Sequence, residues 1–174
     1  ADDVLRFEDV MESGGSGLAE IASVDPDDTK VVLYTSGTTG NPKAVRHSHN
    51  TLAKAMDNGV IAWGLDDRDM MLMPSPVTHV TGYVNGIELP FFTDTKVLLM
   101  ESWVVSRAVE LIETHQATTC VSATPFLREL VDSCRHQGKD LPSFRLFACG
   151  GASVPVSLNL KWLWGLAHLM RLSA

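Results

Sequence analysis

The sequence predicts an α/β fold, a mostly parallel sheet with helices on both faces. Three observations carry that expectation. Short apolar runs recur along the chain, stretches with apolar residues at helical spacing separate them, and the first run ends in a loop rich in Gly and Thr. Strands that read as continuous apolar runs are covered on both faces, and strand–helix alternation builds parallel pairs through right-handed crossovers.

The elements follow in order. Residues 1–29 form an acidic, turn-rich lead-in, with Glu12-Ser13-Gly14-Gly15-Ser16-Gly17 and Asp25-Pro26-Asp27-Asp28, and offer little to bury. The folded α/β region is expected over 30–158. Val31-Val32-Leu33-Tyr34 reads as a buried strand that runs into a loop at 36–43. Ser48 caps a helix that carries Leu52, Ala55, Met56, Gly59 and Val60 and ends near Gly64. Met70-Met71-Leu72-Met73 is a second strand, stopped by Pro74 and Pro76, and Lys96-Val97-Leu98-Leu99-Met100 a third. Between them, 80–92 is apolar enough for a packed helix ended at Pro90. Ala108, Leu111 and Ile112 mark a helix from 104 to 115, and Thr119-Cys120-Val121-Ser122 a fourth strand. Phe126, Leu127, Leu130 and Val131 form another amphipathic face, and Arg145-Leu146-Phe147-Ala148-Cys149 a fifth strand that enters Gly150-Gly151. The segment 159–174 is an atypical apolar tail; interrupted by Asn159, Lys161 and His168, it is too short to span a bilayer and reads as a buried helix.

Composition narrows the function classes. The chain has 174 residues, enough for one domain with a real core, and 45% hydrophobic against 20% charged residues excludes a disordered chain. Asp+Glu 21 outnumber Lys+Arg 14, a net charge of −7 with no basic cluster, which argues against nucleic acid as a partner. Cys120, Cys134 and Cys149 have no CxxC spacing and fit free buried thiols in a reducing compartment, so the cytoplasm is expected. No signal peptide or transmembrane segment is expected, and the missing initiator Met suggests a cut or processed chain.

The most informative stretch is Tyr34-Thr35-Ser36-Gly37-Thr38-Thr39-Gly40-Asn41-Pro42-Lys43. Its glycines let the backbone approach an anion, its hydroxyls add donors and Lys43 adds positive charge, the ingredients of a polyphosphate cradle. It is not a Walker A loop, because Pro42 precedes Lys43 and Ala44 follows it. Composition alone equally allows a flexible surface turn.

The string closely resembles the phosphate-binding signature of the adenylate-forming superfamily, which includes acyl-CoA synthetases, luciferases and peptide-synthetase adenylation domains. Three further landmarks follow in the family's order: Pro74-Ser75-Pro76-Val77-Thr78-His79-Val80-Thr81-Gly82, then Trp103 through Thr124-Pro125, then Gly150-Gly151-Ala152 with Val154-Pro155 behind it. On this resemblance 30–158 is part of an AMP-binding domain. The resemblance implies an ATP-dependent acyl-CoA ligase: a carboxylate, of a fatty or cyclic acid, attacks the α-phosphate of ATP, and the acyl group of the resulting adenylate passes to coenzyme A, with magnesium accompanying ATP. Thr35, Ser36, Gly37, Thr38, Thr39, Gly40 and Lys43 then hold the β- and γ-phosphates. His79 is the catalytic candidate, beside the carboxylate and α-phosphate, with a structural His near a turn as the plain alternative. Thr81 and Asn85 face the acyl group, and Gly150, Gly151 and Ala152 pass close to the adenylate, unless those glycines serve only close packing.

Other chemistry is weakly signalled. His47 and His49 form an H-x-H, but a strand end and a helix start separate them and no third ligand is near, so no metal site is expected. Cys149 lacks a base partner, and Ser36 and Ser122 lack the G-x-S-x-G elbow of a hydrolase. The chain departs from the family in having no aromatic-Gly-x-Thr-Glu motif, and its tail carries Trp162 and Trp164. The expectation is therefore a fragment, inactive by itself, with apolar surface that favours self-association. Two alternatives stay open: a non-catalytic remnant that binds nucleotide or a partner, and an adenylation domain that loads a carrier protein.

Overall fold

The computed structural model describes residues 22–35 and 40–151, together with 8, 11, 12, 14 and 153. In chain order the elements are β1 (Thr29–Thr35), β2 (Lys43–Ser48), α1 (His49–Trp63), β3 (Met70–Met73), α2 (Val80–Gly82, a π segment Tyr83–Glu88, then Leu89–Thr93), β4 (Lys96–Leu99), α3 (Val105–His115), β5 (Thr119–Ala123), α4 (Thr124–Gln137) and β6 (Leu146–Gly150). The tail 159–174 lies outside the described residues.

Four of the expected strands make one parallel sheet in the order β4-β3-β5-β6. Because successive side chains in a strand point to opposite faces, each apolar run feeds two cores. Leu72, Cys120, Phe147 and Cys149 pack with Ala108, Val109 and Ile112 of α3 and Leu127, Leu130 and Val131 of α4. On the other face Met71, Met73, Val121 and Ala148 meet Met56 of α1 and Leu89 of α2. Helices therefore cover both faces, as expected. The connection from β3 to β4 runs over one face and the return from β4 to β5 runs the opposite way over the other, so the two crossovers share one hand.

Three local features differ from the sequence reading. The strand expected to be buried at 31–34 is not in the parallel sheet; β1 pairs antiparallel with β2, and Val32 and Tyr34 are 42% and 73% exposed. A two-stranded ribbon has one covered face, which leaves Val31 and Leu33 half-buried and their neighbours outward. Strand β2 carries no apolar run, and only its end at His47 is legible from sequence. Third, α2 does not stop at Pro90. The π segment widens the helix just ahead, with Leu89 N–H donating to the Val84 carbonyl, and the helix runs on through Pro90, at the junction of the π and α segments, to Thr93.

The amino ends of the strands are tied together. Arg145, ahead of β6, donates to both carboxylate oxygens of Asp69, ahead of β3, at 2.9 and 2.5 Å, and Thr118, ahead of β5, donates to the same carboxylate at 2.6 Å. The rest of the Arg145 guanidinium caps α1 by donating to the carbonyls of Trp63 and Gly64 at 3.2 and 2.8 Å. Asp69 responds to two opposed influences. Burial pushes its carboxyl up, but the hydrogen bonds from Arg145, Thr118 and the Asp66 N–H, with the Arg145 charge, leave it below the usual carboxylate range.

Candidate active site

The carboxyl ends of the strands are where this topology opens. From β3 the chain goes to β4 on one side, whereas β5 lies on the other, so the point between β3 and β5 is a topological switch, the place where open α/β sheets bind ligands. A cavity of about 590 Å³ sits there. Its mouth is made by Ser75, Pro76 and His79 after β3, Ser122 and Ala123 at the end of β5, and Gly150 and Gly151 at the end of β6; Val121, Ala148 and Trp63 extend it as an apolar wall. Ser75 and Ser122 satisfy each other, Oγ to Oγ at 3.0 Å, and so join the ends of β3 and β5 without leaving a buried hydroxyl unpaired.

His79 owes its place to the start of α2. It is the N-cap residue, and its Nδ1 accepts a hydrogen bond from the Thr81 backbone N–H at 3.2 Å. An accepting Nδ1 puts the ring proton of a neutral imidazole on Nε2, which is then the donor available to a ligand. Gly82 makes that geometry possible: a Cβ there would lie 2.1 Å from the Pro76 carbonyl oxygen and 2.6 Å from that of Ser75, so only Gly lets the first turn sit against the 75–76 backbone. The spacing His79-x-x-Gly82 is thus a packing requirement with the His79 imidazole at its head.

The sequence-predicted residues divide into four groups. His79, Thr81, Gly150 and Gly151 line the one cavity. Gly151 adopts φ +74, a left-handed turn that carries the backbone across the end of β6. Thr35 and Lys43 are register partners at the closed end of the β1–β2 ribbon, with the Thr35 hydroxyl 3.5 Å from the Lys43 carbonyl, so the chain between them connects two antiparallel strands. Gly40, at φ +106, is exposed in that loop. Asn85 is not a lining residue of the cavity: it is buried, and its Nδ2 donates to the Thr81 carbonyl at 2.9 Å, which braces the turn that holds His79. Ser36, Gly37, Thr38, Thr39 and Ala152 lie outside the described residues.

Sequence reasoning missed Ser75, Trp63 and the bracing role of Asn85. The three residues between Ser75 and His79 were a signal for the first, since they must turn the chain from β3 back over its own end. Cys149 lines the cavity, yet burial pushes its thiol up to about 11, against a smaller opposing effect from Thr124, which leaves no thiolate for nucleophilic chemistry near neutrality. Among the described residues no three His, Cys, Asp or Glu side chains converge as metal ligands, and no helix is long and apolar enough to cross a membrane.

Comparison with known proteins places this architecture. The chain is 33% identical over 140 residues to the medium-chain fatty-acid–CoA ligase of Escherichia coli, a match that covers 80% of this chain and 25% of that protein. A long-chain-fatty-acid–CoA ligase from Archaeoglobus fulgidus superposes with a TM-score of 0.79 at 28% identity, over 90% of this chain and 31% of that one. The fold is also that of the O-succinylbenzoate coenzyme A synthetase of Bacillus subtilis in complex with ATP and a magnesium ion, with a TM-score of 0.78 at 22% identity, over 90% of this chain and 32% of that one. The chain thus spans between a quarter and a third of the length of these proteins. The family model for AMP-binding enzymes matches residues 2–168, nearly the whole sequence, and the chain belongs to that family.

Proposed function

We propose that this chain supplies the phosphate-holding and acid-facing parts of an ATP-dependent acyl-CoA ligase, which joins a carboxylic acid to AMP and passes the acyl group to coenzyme A. The observation that carries this reading is the meeting of His79 with Gly150 and Gly151 around one apolar-walled cavity at the switch point of the sheet. A carboxylate in the mouth of that cavity receives the Nε2 proton of His79 as a hydrogen bond while its apolar body lies along Val121, Ala148 and Trp63. Such a wall suits a fatty or cyclic acid, and the name of the Escherichia coli relative supports a fatty acid and coenzyme A as acceptor.

The chemistry asks for little covalent help from the protein. The acid oxygen attacks the α-phosphorus and the bond to pyrophosphate breaks, so stabilisation must follow negative charge toward the leaving group. Lys43, with the hydroxyls and backbone N–H groups of the hairpin loop 35–43, holds the β- and γ-phosphates in this reading, and magnesium enters as their counter-ion. His79 steadies the acid as charge shifts to phosphorus. Gly150 and Gly151, with no side chains, leave room for the adenylate to lie across the end of β6. The three described thiols are free and buried, which supports a cytoplasmic placement.

The test is acid-dependent exchange of labelled pyrophosphate into ATP, over a panel of fatty and cyclic acids, by a protein that carries this chain. Exchange that appears only with acid and fails on chelating magnesium is the expected result. No exchange with any acid, or exchange indifferent to acid, would overturn the reading.

A further inference from the structure

The phosphate hairpin and the His79 helix belong to different parts of the fold. Among the described residues β1 and β2 pair only with each other, so the ribbon's position depends on what fastens it. One end is continuous with α1 through the Ser48 cap, where Ser48 Oγ accepts from the Thr51 N–H and the Thr51 hydroxyl accepts from the Ser48 N–H. A second fastening crosses to α2. Lys30 of β1 reaches Glu88, with Nζ to Oε2 at 2.5 Å, and the Tyr83 hydroxyl donates to the other oxygen of the same carboxylate at 2.6 Å.

The helix is shaped for this. Tyr83 and Glu88 are five residues apart, a separation that an α-helix turns to different sides but that the i→i+5 winding of the π segment brings together. The Glu88 side chain is 13% exposed and that of Lys30 30%, so the carboxylate end of the pair is shielded while the ammonium end keeps contact with solvent. Burial pushes the Glu88 carboxyl up, but the hydrogen bonds from Lys30 and Tyr83, with the charges of Lys30 and His49, hold it below its usual range. Its partners thus hold it charged in a half-buried position.

The geometry points to Glu88, fixed by Tyr83, as a positioning residue that docks the phosphate hairpin through Lys30 onto the helix that presents His79. The inference rests on the adenylation reading and adds to it how the ATP-holding and acid-holding groups are set against one another. The docking strut touches neither substrate; it governs how far Lys43 and His79 stand apart.

The experiment measures exchange kinetics for ATP and acid separately in a protein that carries this chain. Lys30→Met should raise the KM for ATP roughly ten- to hundredfold, the scale of an ångström misplacement, with the KM for the acid unchanged. Lys30→Arg should retain the wild-type value, and the reversal Lys30→Glu with Glu88→Lys should recover most of what Lys30→Glu alone loses. Where Lys30→Met or Lys30→Glu does not fold, the reversed pair decides, and its failure to recover overturns the inference. An unchanged ATP KM in Lys30→Met, or an equal rise for ATP and acid, overturns it too while the adenylation reading stands. Absence of exchange in the wild type overturns both.

Discussion

Replacing Gly82 by Ala tests the close approach that sets the catalytic candidate. The new Cβ would lie 2.1 Å from the Pro76 carbonyl oxygen, 2.5 Å from its carbon and 2.6 Å from the Ser75 carbonyl oxygen. All three are backbone atoms, and ordinary contact begins near 3.5 Å, so the first turn of α2 must retreat by roughly 1 Å. That retreat strains the bond from the His79 N–H to the Pro76 carbonyl, 3.0 Å in the native arrangement, and carries the imidazole away from the cavity mouth. Overpacking of this kind destabilises by about 1–3 kcal/mol, and each kcal/mol lowers the melting temperature by roughly 2–4 °C in a chain of this size. A 1 Å displacement of a positioning group slows the reaction by about a hundredfold. The assay pairs thermal unfolding with acid-dependent pyrophosphate exchange, and Gly86→Ala is the control. A Cβ at Gly86 would meet Leu99 Cδ2 and Met73 Cγ, both at 3.1 Å, side-chain atoms that need give by only a few tenths of an ångström. Wild-type exchange and melting in Gly82→Ala, or effects no larger than those of Gly86→Ala, would refute the reasoning.

Three other outcomes are expected. His79→Asn should keep the helix cap, because Asn accepts the Thr81 N–H as well as the imidazole does, and still lose adenylate formation, whereas His79→Ala should lose both, with about 1 kcal/mol of stability gone; equal activity in the Asn variant and the wild type would return His79 to a capping role alone. Asp69→Asn should destabilise by about 1–3 kcal/mol in denaturant unfolding, since it removes the charge from the carboxylate that accepts from Arg145 and Thr118, while Arg145, 30% exposed, keeps its bonds to the Trp63 and Gly64 carbonyls. The folded Asp69 carboxyl lies below its unfolded value, so its stabilisation is present above about pH 4 and is lost as pH falls through the folded value, a dependence the variant should lack. The Tyr83 phenol, pushed from 10.0 up to about 12 by its bond to Glu88 and then by burial and the Glu88 charge, contributes stability fully below pH 10 that fades as pH rises toward 12; a phenolate absorbance titration should show that late step in the wild type and not in Tyr83→Phe.

The parallel sheet was legible because each of its strands is a local apolar run: Met71, Leu72 and Met73 need no distant partner to announce a strand buried on both faces. The ribbon was half legible. Lys43-Ala44-Val45-Arg46-His47-Ser48 has no apolar run, and its strand conformation comes from register with β1, a non-local pairing. Pro90 misled because the helix rewinds from π to α just ahead of it, a change of winding that periodicity does not reveal. Of the cavity's lining, His79 and the glycine pair were legible as motifs. Asp69 and Arg145, far apart in sequence, and Lys30 and Glu88 were not, since neither member of a long-range ion pair carries a local mark.

The central claim is that the hairpin loop holds ATP while the sheet's cavity holds the acid, and one kinetic comparison addresses it directly. Lys43 is exposed at the base of the hairpin, so Lys43→Ala should leave the fold and the acid site intact. In acid-dependent pyrophosphate exchange by a protein that carries this chain, the account predicts for Lys43→Ala a raised KM for ATP beside an unchanged KM for the acid. Unchanged ATP kinetics in that variant would contradict it.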